Sequence, residues 1–323
     1  MTKAIRIHET GGPEVLRWDD VDVGTPGEGQ LRLRHTAIGL NYIDTYHRTG
    51  LYPIAMPGIL GLEAAGVVEE IGAGVTNVAV GQRVAYVGPI GAYCQERLFP
   101  AARAIPIPDG ISDEQAAGMM LKGMTVQYLI RQTYNVKAGD TVLAHAAAGG
   151  VGTIMCQWLK HLGATVIGTV GSDEKAELAK ANGCDYPIVY TRENFADRVK
   201  EITDGKLLPV VYDSVGADTF AGSLDCLRPR GMMVSFGNAT GPVTGFNLGV
   251  LAQKGSLFLT RPTLMAYTTT PAELLACAAD LFDVVAAGHV KIAVNQSFAL
   301  KDVADAHRAL ESRQTTGSTI LKP

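Results

Sequence analysis

"TVLAHAAAGGVGTIM", residues Thr141 to Met155, is the stretch whose reading decides the fold. Seven of the nine residues from Ala144 to Gly152 are Ala or Gly. Two readings compete for such a run: a loop that lets a dinucleotide approach the backbone, or a seam of small residues where elements pack. The three-glycine fingerprint G-x-G-x-x-G can be laid on Ala147, Gly149 and Gly152, with alanine in place of the first glycine. The flanks decide between the two. A β-type run precedes the loop and a helix, expected from about Gly150 to Leu162, follows at once, which is the context the fingerprint requires. Backbone N–H groups then meet a pyrophosphate at the positive end of the helix, and Gly152 lets that helix lie close to the strand.

Outward from this loop the chain alternates. "ATVIGTV", a helix from Asp173 to Ala181, "YPIVY", "LLPVVYDSV", a helix over "DTFAGSLDCL", and "GMMVSFG" follow in turn. Short apolar strands between helices suit a parallel sheet covered on both faces, so the fold class is α/β, a doubly wound parallel sheet. Before residue 123 the pattern is different. Short β-type runs separated by Gly and Pro, among them "QLRLRHTAIGL" and "GLEAAGVVEEIG", suggest a β-rich, barrel-like unit. The tail reads as a helix over "PAELLACAADLFDVVAAG", a strand near "HVKIAVNQSFAL", a helix over "KDVADAHRALES" and a last strand, "STILKP". We expect it to return to the β-rich domain, giving residues 1–123 with 263–323 as one domain and 124–262 as the dinucleotide domain. The cleft between them is the expected ligand site.

Charge and composition exclude several function classes. The 323 residues carry 28 basic and 32 acidic side chains, a net charge of -4, mixed along the chain without a basic stripe. A nucleic-acid partner is therefore not expected. No apolar run reaches the roughly 18 residues of a membrane span. The start, "MTKAIRIHET", is charged where a signal peptide is apolar, so a cytoplasmic protein is expected. Five scattered cysteines without a C-x-x-C pair read as reduced thiols.

Two stretches carry the chemistry. Sites for NAD usually hold an acidic residue about 20 residues beyond the glycine loop, where it binds the ribose 2'-hydroxyl. Here the second strand ends "IGTVGSDEK": Thr169, Val170, Gly171 and Ser172 offer no carboxylate, and Asp173 and Glu174 lie one step beyond, where they suit a helix's first turn. Lys175 follows and can pair with a 2'-phosphate, which favours NADPH. In the β-rich half, "GLNYIDTYHRTGLYP" places Asn41, Asp44 and Arg48 on one helical face and Tyr42 and Tyr46 on another, with Tyr52 just beyond. A polar turn with partly packed tyrosines remains an open reading of this segment. No cysteine cluster or three-ligand spacing supports zinc, and no G-x-S-x-G elbow supports serine hydrolysis.

With these residues in hand, the chain resembles the zinc-independent branch of the medium-chain dehydrogenase/reductase superfamily, and most closely the zeta-crystallin-like NADPH:quinone oxidoreductases. The likeness covers essentially the full length. It rests on "GGPEVL" at Gly11, "NYIDTYHRTGLYP" at Asn41, "GLEAAGVVEEIG" at Gly61, "LKGMTVQYL" at Leu121, "HAAAGGVG" at His145, "VYDSVG" at Val211, "MVSFGN" at Met233 and the ending "ESRQTTGSTIL". The resemblance implies a GroES-like catalytic domain and a Rossmann domain. It implies a nucleotide loop on Gly149, Gly150, Val151 and Gly152, and a 2'-phosphate pocket at Gly171, Ser172 and Lys175 with Tyr190 and Arg313. It also implies Ser214, Phe236, Gly237 and Asn238 along the middle of the cofactor, and Asn41, Tyr46 and Thr125 at its nicotinamide end. Zinc-bearing relatives have Cys and His where this chain has Asn41 and Leu62, so no metal is expected.

The implied reaction is reduction of a quinone by hydride or single-electron transfer, with Asn41, Tyr46 and Tyr52 donating to the developing charge and Asp44 orienting them. Two alternatives stay open: reduction of an enone or enoyl double bond, and an NADPH-binding protein with a structural or RNA-binding role. Dimeric relatives suggest a homodimer, for which "GSLFLTRP" and the helix after it offer a pairing edge, buried sheet being an equal reading of that stretch. The acidic "SDEK" sits oddly against a phosphate pocket.

Overall fold

Val- and Ile-rich runs separated by helices form a sheet in the second half of the chain because neither face of each strand is polar enough to meet water. The computed structural model describes all 323 residues. They form two compact units, residues 1–124 with 268–286 and 292–323, and residues 125–267 with 287–291.

In the second unit six parallel strands lie in the order Tyr186–Val189, Thr165–Val170, Thr141–Ala144, Leu208–Asp213, Leu227–Ser235 and Phe258–Thr260. Counted by sequence this is 3-2-1-4-5-6, the doubly wound order, whose direction of winding reverses between Thr141–Ala144 and Leu208–Asp213. All six residues of Leu208–Asp213 are buried. Leu143, Ile167, Val211 and Met233 pack with Phe220 and Leu224 on one side of the sheet, each such burial being worth about 1.5–3 kcal/mol. The strand Phe258–Thr260 has a neighbour on one side only, and Phe258 is 57% exposed.

The first unit is built around the long strand Gln30–Leu40. It pairs antiparallel with Glu63–Ile71, Glu96–Pro100 and the C-terminal strand Ser318–Lys322, which pairs in parallel with Val294–Ala299. Leu31, Leu33 and Ile38 from this strand pack with Val68, Tyr86, Phe99 and Leu321 in one core. A smaller sheet orders Arg17–Val21, Thr2–Ile7 and Gly58–Ile59.

Two features depart from expectation. Residues 263–267 and 287–291, expected in the β-rich domain, lie in the second unit, where the Tyr267 ring stacks on Tyr128 at 4.5 Å and its hydroxyl accepts from Thr133 at 2.9 Å. A 16-residue helix, Asp113–Tyr128, occupies a stretch without amphipathic spacing. It has no polar stripe because Ala116, Ala117, Met119, Met120, Met124 and Val126 are all buried. Gly123 fits there because a Cβ would lie 2.7 Å from Leu281 Cδ2.

Candidate active site

The glycine loop joins Thr141–Ala144 to the helix Gly150–His161. Gly149 is the N-cap, extended and without a side chain, so no capping oxygen competes for the first-turn N–H groups. The left-handed residue of the turn is Ala146, at φ 54°. Ala147, the residue that replaces the first fingerprint glycine, is fully buried, and the close approach beside it falls to Gly168, whose Cβ would lie 2.6 Å from that of Ala147. At Gly152 a Cβ would lie 2.7 Å from the carbonyl carbon of Ala147 and closer still to Ala146 O. Here only glycine fits.

One strand over, Gly171, Ser172, Lys175 and Tyr190 form a corner. Ser172 is the N-cap of the helix Asp173–Ala181 and its Oγ accepts from Lys175 N at 3.3 Å. A Cβ on Gly171 would lie 3.0 Å from Tyr190 Oη. Asp173 does not face this corner alone: Arg192 donates to both its carboxylate oxygens, at 2.6 and 2.7 Å. That guanidinium holds the Asp173 carboxyl below its usual range. Sequence reasoning passed over Arg192, the partner that offsets the acidity of "SDEK"; "TRENF" directly after a strand end was the available signal.

At the switch point a donor chain ties three strand ends together. Thr169 Oγ1 lies 2.8 Å from His145 Nδ1, His145 Nε2 lies 2.9 Å from Ser223 Oγ, and Ser223 Oγ donates to Asp213 Oδ2 at 2.9 Å. Because Ser223 spends its proton on Asp213, His145 Nε2–H donates to Ser223 and Nδ1 accepts from Thr169. Burial lowers the pKa of His145, so the neutral ring is the form that suits this chain. Asp213, fully buried, also accepts from Val215 N at 2.8 Å, Gly216 N at 3.1 Å and Thr219 Oγ1 at 2.8 Å. It thereby shapes the loop carrying Ser214. The loop of Phe236, Gly237 and Asn238 packs against it, with Phe236 N donating to Asp213 O at 2.8 Å. A Cβ on Gly237 would lie 2.7 Å from the carbonyl carbon of Ser214. Neither His145 nor Asp213 was expected in this role. A cavity of about 410 Å³ lined by Gly139, Thr165 and Arg228 opens at the opposite, amino ends of the strands, away from these loops.

In the first unit "NYIDTYHRT" forms the helix Tyr42–Thr49, capped by Asn41. Its polar face is buried: Asn41 5%, Asp44 0% and Arg48 1% exposed. Asp44, expected to orient its neighbours, accepts from Asn41 N at 2.9 Å and from Tyr93 Oη at 2.8 Å. Beyond Tyr93 the network runs through His307 to Arg48, whose guanidinium donates to Glu311 at 2.6 and 3.0 Å. The other face carries an aromatic row, Tyr42 edge-on to Tyr46 at 5.6 Å and Tyr46 edge-on to Tyr52 at 5.3 Å. Arg313, at φ 60°, follows the helix Val303–Glu311 in this same unit, and its charge acts on Tyr42. Thr125 lies half-buried in the helix Asp113–Tyr128. No three His, Cys, Asp or Glu side chains converge to hold a metal ion.

Burial pushes the Asp44 carboxyl up to about 7, against the hydrogen bonds from Asn41 and Tyr93. The folded state thus holds this proton more tightly than the unfolded one, and stability from this group is lost as pH rises from about 4 to 7. Asp44→Asn keeps an acceptor for both donors and removes the titration. Its Tm relative to the parent should rise between pH 5 and pH 7 and level off by pH 8. A difference that does not change with pH would show that Asp44 does not titrate in this window.

A doubly wound sheet with a glycine-rich first turn and a separate β-rich unit in one chain are the two parts of a medium-chain dehydrogenase/reductase. Residues 27–131 match the alcohol dehydrogenase GroES-like domain and residues 150–279 the zinc-binding dehydrogenase domain. The chain is 55% identical to the quinone oxidoreductase of Pseudomonas aeruginosa over 100% of both chains. It is 51% identical to the 2-haloacrylate reductase of a Burkholderia species, over 100% of this chain and 99% of that protein. The crystal structure of Escherichia coli quinone oxidoreductase complexed with NADPH superposes with a TM-score of 0.98 at 50% identity, covering 99% of this chain and 100% of that one. The chain belongs to the quinone oxidoreductase family, the zinc-independent branch of that superfamily.

Proposed function

We propose that the chain reduces quinones with NADPH, by hydride or single-electron transfer. The observation that carries this is the corner at Gly171, Ser172, Lys175 and Tyr190, where both nearby carboxylates are already engaged, Asp173 by Arg192 and Glu174 by the Ser172 hydroxyl, so that neither is free for a ribose hydroxyl. The residues fit the cofactor, since Gly149 caps the helix without a side-chain oxygen and a Cβ there would meet only Ala146 O, at 3.2 Å, which leaves the first-turn N–H groups open to an anion. Gly149, Gly150, Val151 and Gly152 hold the pyrophosphate, and Ser172, Lys175 and Tyr190 the 2'-phosphate. Ser214, Phe236, Gly237 and Asn238 line the middle. NADPH supplies the hydride when bound.

The protein's own part is positioning and charge stabilisation. A quinone oxygen gains negative charge as it is reduced, and the hydroxyls of Tyr46 and Tyr52 and the amide of Asn41 donate to that charge. The Tyr42, Tyr46 and Tyr52 row offers apolar edges to a flat ring. Asp44 acts through Asn41. A second reading, reduction of an activated carbon–carbon double bond, draws on the 51% identity to a 2-haloacrylate reductase.

Initial rates with NADPH and NADH across 1,4-benzoquinone, an alkenone and 2-chloroacrylate separate these readings. Quinone turnover with NADPH is the expected result, and turnover of 2-chloroacrylate alone would transfer the proposal to the second reading. Lys175→Ala should raise KM for NADPH about tenfold, the loss of one charge-assisted bond of roughly 1.5 kcal/mol, and leave KM for NADH unchanged. Equal effects on both cofactors would remove Lys175 from the phosphate corner. The same preparation should scatter light as a homodimer joined at the open edge of Phe258–Thr260, where the exposed Phe258 and Leu248 offer apolar surface. All five cysteines are buried and free, the state a reducing compartment maintains, which agrees with a cytoplasmic enzyme.

A further inference from the structure

Behind Asn41, at the start of the polar helix of the first unit, lies a buried ion pair that the reading above does not use. Glu63 is fully buried; its Oε1 accepts from Asn41 Nδ2 at 2.7 Å and from Lys122 Nζ at 3.0 Å, and its Oε2 accepts from Leu121 N at 2.5 Å. Lys122, 7% exposed, also donates to Leu40 O at 3.2 Å. The pocket is cut to the carboxylate: a Cβ on Gly39 would lie 2.5 Å from Glu63 Cδ. Desolvating two such charges costs several kcal/mol each, and apolar residues of the same volume would pack without that cost. A pair kept at that cost, with one hydrogen bond leading to a candidate site residue, has a use outside stability.

We propose that Glu63 and Lys122 are a positioning pair that fixes the direction of the Asn41 amide for the reaction. Asn41 spends one Nδ2 hydrogen on Glu63, and its backbone is held to Asp44, its N–H donating to Asp44 Oδ2 at 2.9 Å and its carbonyl accepting from Asp44 N at 3.0 Å. A flipped amide would set its oxygen against the Glu63 carboxylate, so the amide keeps one orientation and its second Nδ2 hydrogen is held in one direction for a ligand. Lys122 supplies the counter-charge that keeps Glu63 an acceptor toward Asn41. This rests on the reading that Asn41 touches the acceptor or the nicotinamide.

A double-mutant cycle between Glu63 and Asn41 tests it. In Glu63→Gln the new amide either keeps its oxygen on Asn41 and opposes Leu121 N–H, or turns its own hydrogens on Asn41; in both it loses the charge that pairs with Lys122, and the hold on the Asn41 amide weakens. The expected result is a fall in kcat for 1,4-benzoquinone of about 10- to 100-fold, with the Kd for NADPH, read from nicotinamide fluorescence, unchanged. In an Asn41→Ala background the same substitution should have no further effect on kcat. Lys122→Met should lose kcat as Glu63→Gln does, and Lys122→Arg should recover most of it while keeping the Tm of the parent. Equal losses from Glu63→Gln in both backgrounds would mark the pair as purely structural and overturn the proposal, as would an undiminished kcat in Glu63→Gln. An unchanged kcat in Asn41→Ala alone would instead overturn the parent reading, and the positioning claim with it.

Discussion

Gly152→Val should remove NADPH binding, raising Kd at least 100-fold, and lower stability by about 1–3 kcal/mol, the usual range for forcing atoms into a packed site. The reason is that the obstruction is backbone. A Cβ at residue 152 lies 2.7 Å from the Ala147 carbonyl carbon and closer still to Ala146 O, and the Ala146–Ala147 peptide cannot turn away, because Ala147 N donates to Thr169 O at 3.0 Å and Gly149 N to Ala146 O at 2.9 Å. The helix must therefore back away from the strand, carrying its first-turn N–H groups from the place where they meet a phosphate. Gly149→Ala is the control for stability. Its Cβ has Ala146 O at 3.2 Å as its one close neighbour and an ordinary negative φ, so a cost under about 1 kcal/mol is expected. Isothermal titration with NADPH and thermal unfolding measure both variants. Retention of NADPH affinity within threefold in Gly152→Val would show that the loop is not where the cofactor sits.

That loop was legible in the sequence because everything that defines it is local. Strand, turn and helix follow within fifteen residues, and small side chains mark the close approach. The face shared by Asn41, Asp44 and Arg48 was legible for the same reason, as helical spacing places them together without knowledge of the fold. What that face does was not legible. Its partners come from Glu63, Tyr93, Lys122, His307 and Glu311, the last bonded across 263 positions of sequence, and no spacing rule reaches that far. The helix Asp113–Tyr128 hid for a different reason. Periodicity detects a boundary between polar and apolar faces, and a helix buried on most sides has no such boundary. Arg192 was passed over because its importance lies in Asp173, 19 residues earlier, and arginine after a strand reads by default as a solvated charge. His145 was read only as the first residue of "HAAAGGVG"; a buried imidazole that passes a hydrogen bond from Thr169 to Ser223 leaves no pattern in a single sequence.

Asp213→Ala should cost about 3–5 kcal/mol, the range for removing the carboxylate from a buried hydrogen-bonded network. Four donors converge on this side chain: Val215 N, Gly216 N, Thr219 Oγ1 and Ser223 Oγ. Alanine would take this acceptor from all four, leaving Gly216 N and Ser223 Oγ buried and Val215 N and Thr219 Oγ1 half-buried, and each buried unmet donor costs about 1–3 kcal/mol before any relaxation. At roughly 2–4 °C per kcal/mol for domains of this size, Tm should fall by about 6–20 °C. The loss should not stay local to stability. Gly216 holds φ 97°, and the two N–H bonds to Asp213 are what hold the turn of Ser214 to Gly216 in that shape against the loop of Phe236 to Asn238. NADPH affinity should therefore fall further than the mean loosening of the sheet would produce. Asp213→Asn separates the two effects, because its one oxygen can serve either the backbone pair or the two hydroxyls but not both. If the backbone pair governs the cofactor site, Asn should keep the better part of NADPH affinity while losing part of Tm. Equal proportional loss of Tm and affinity in both variants would mean that Asp213 supports the fold alone and that the Ser214 loop does not depend on it for its shape.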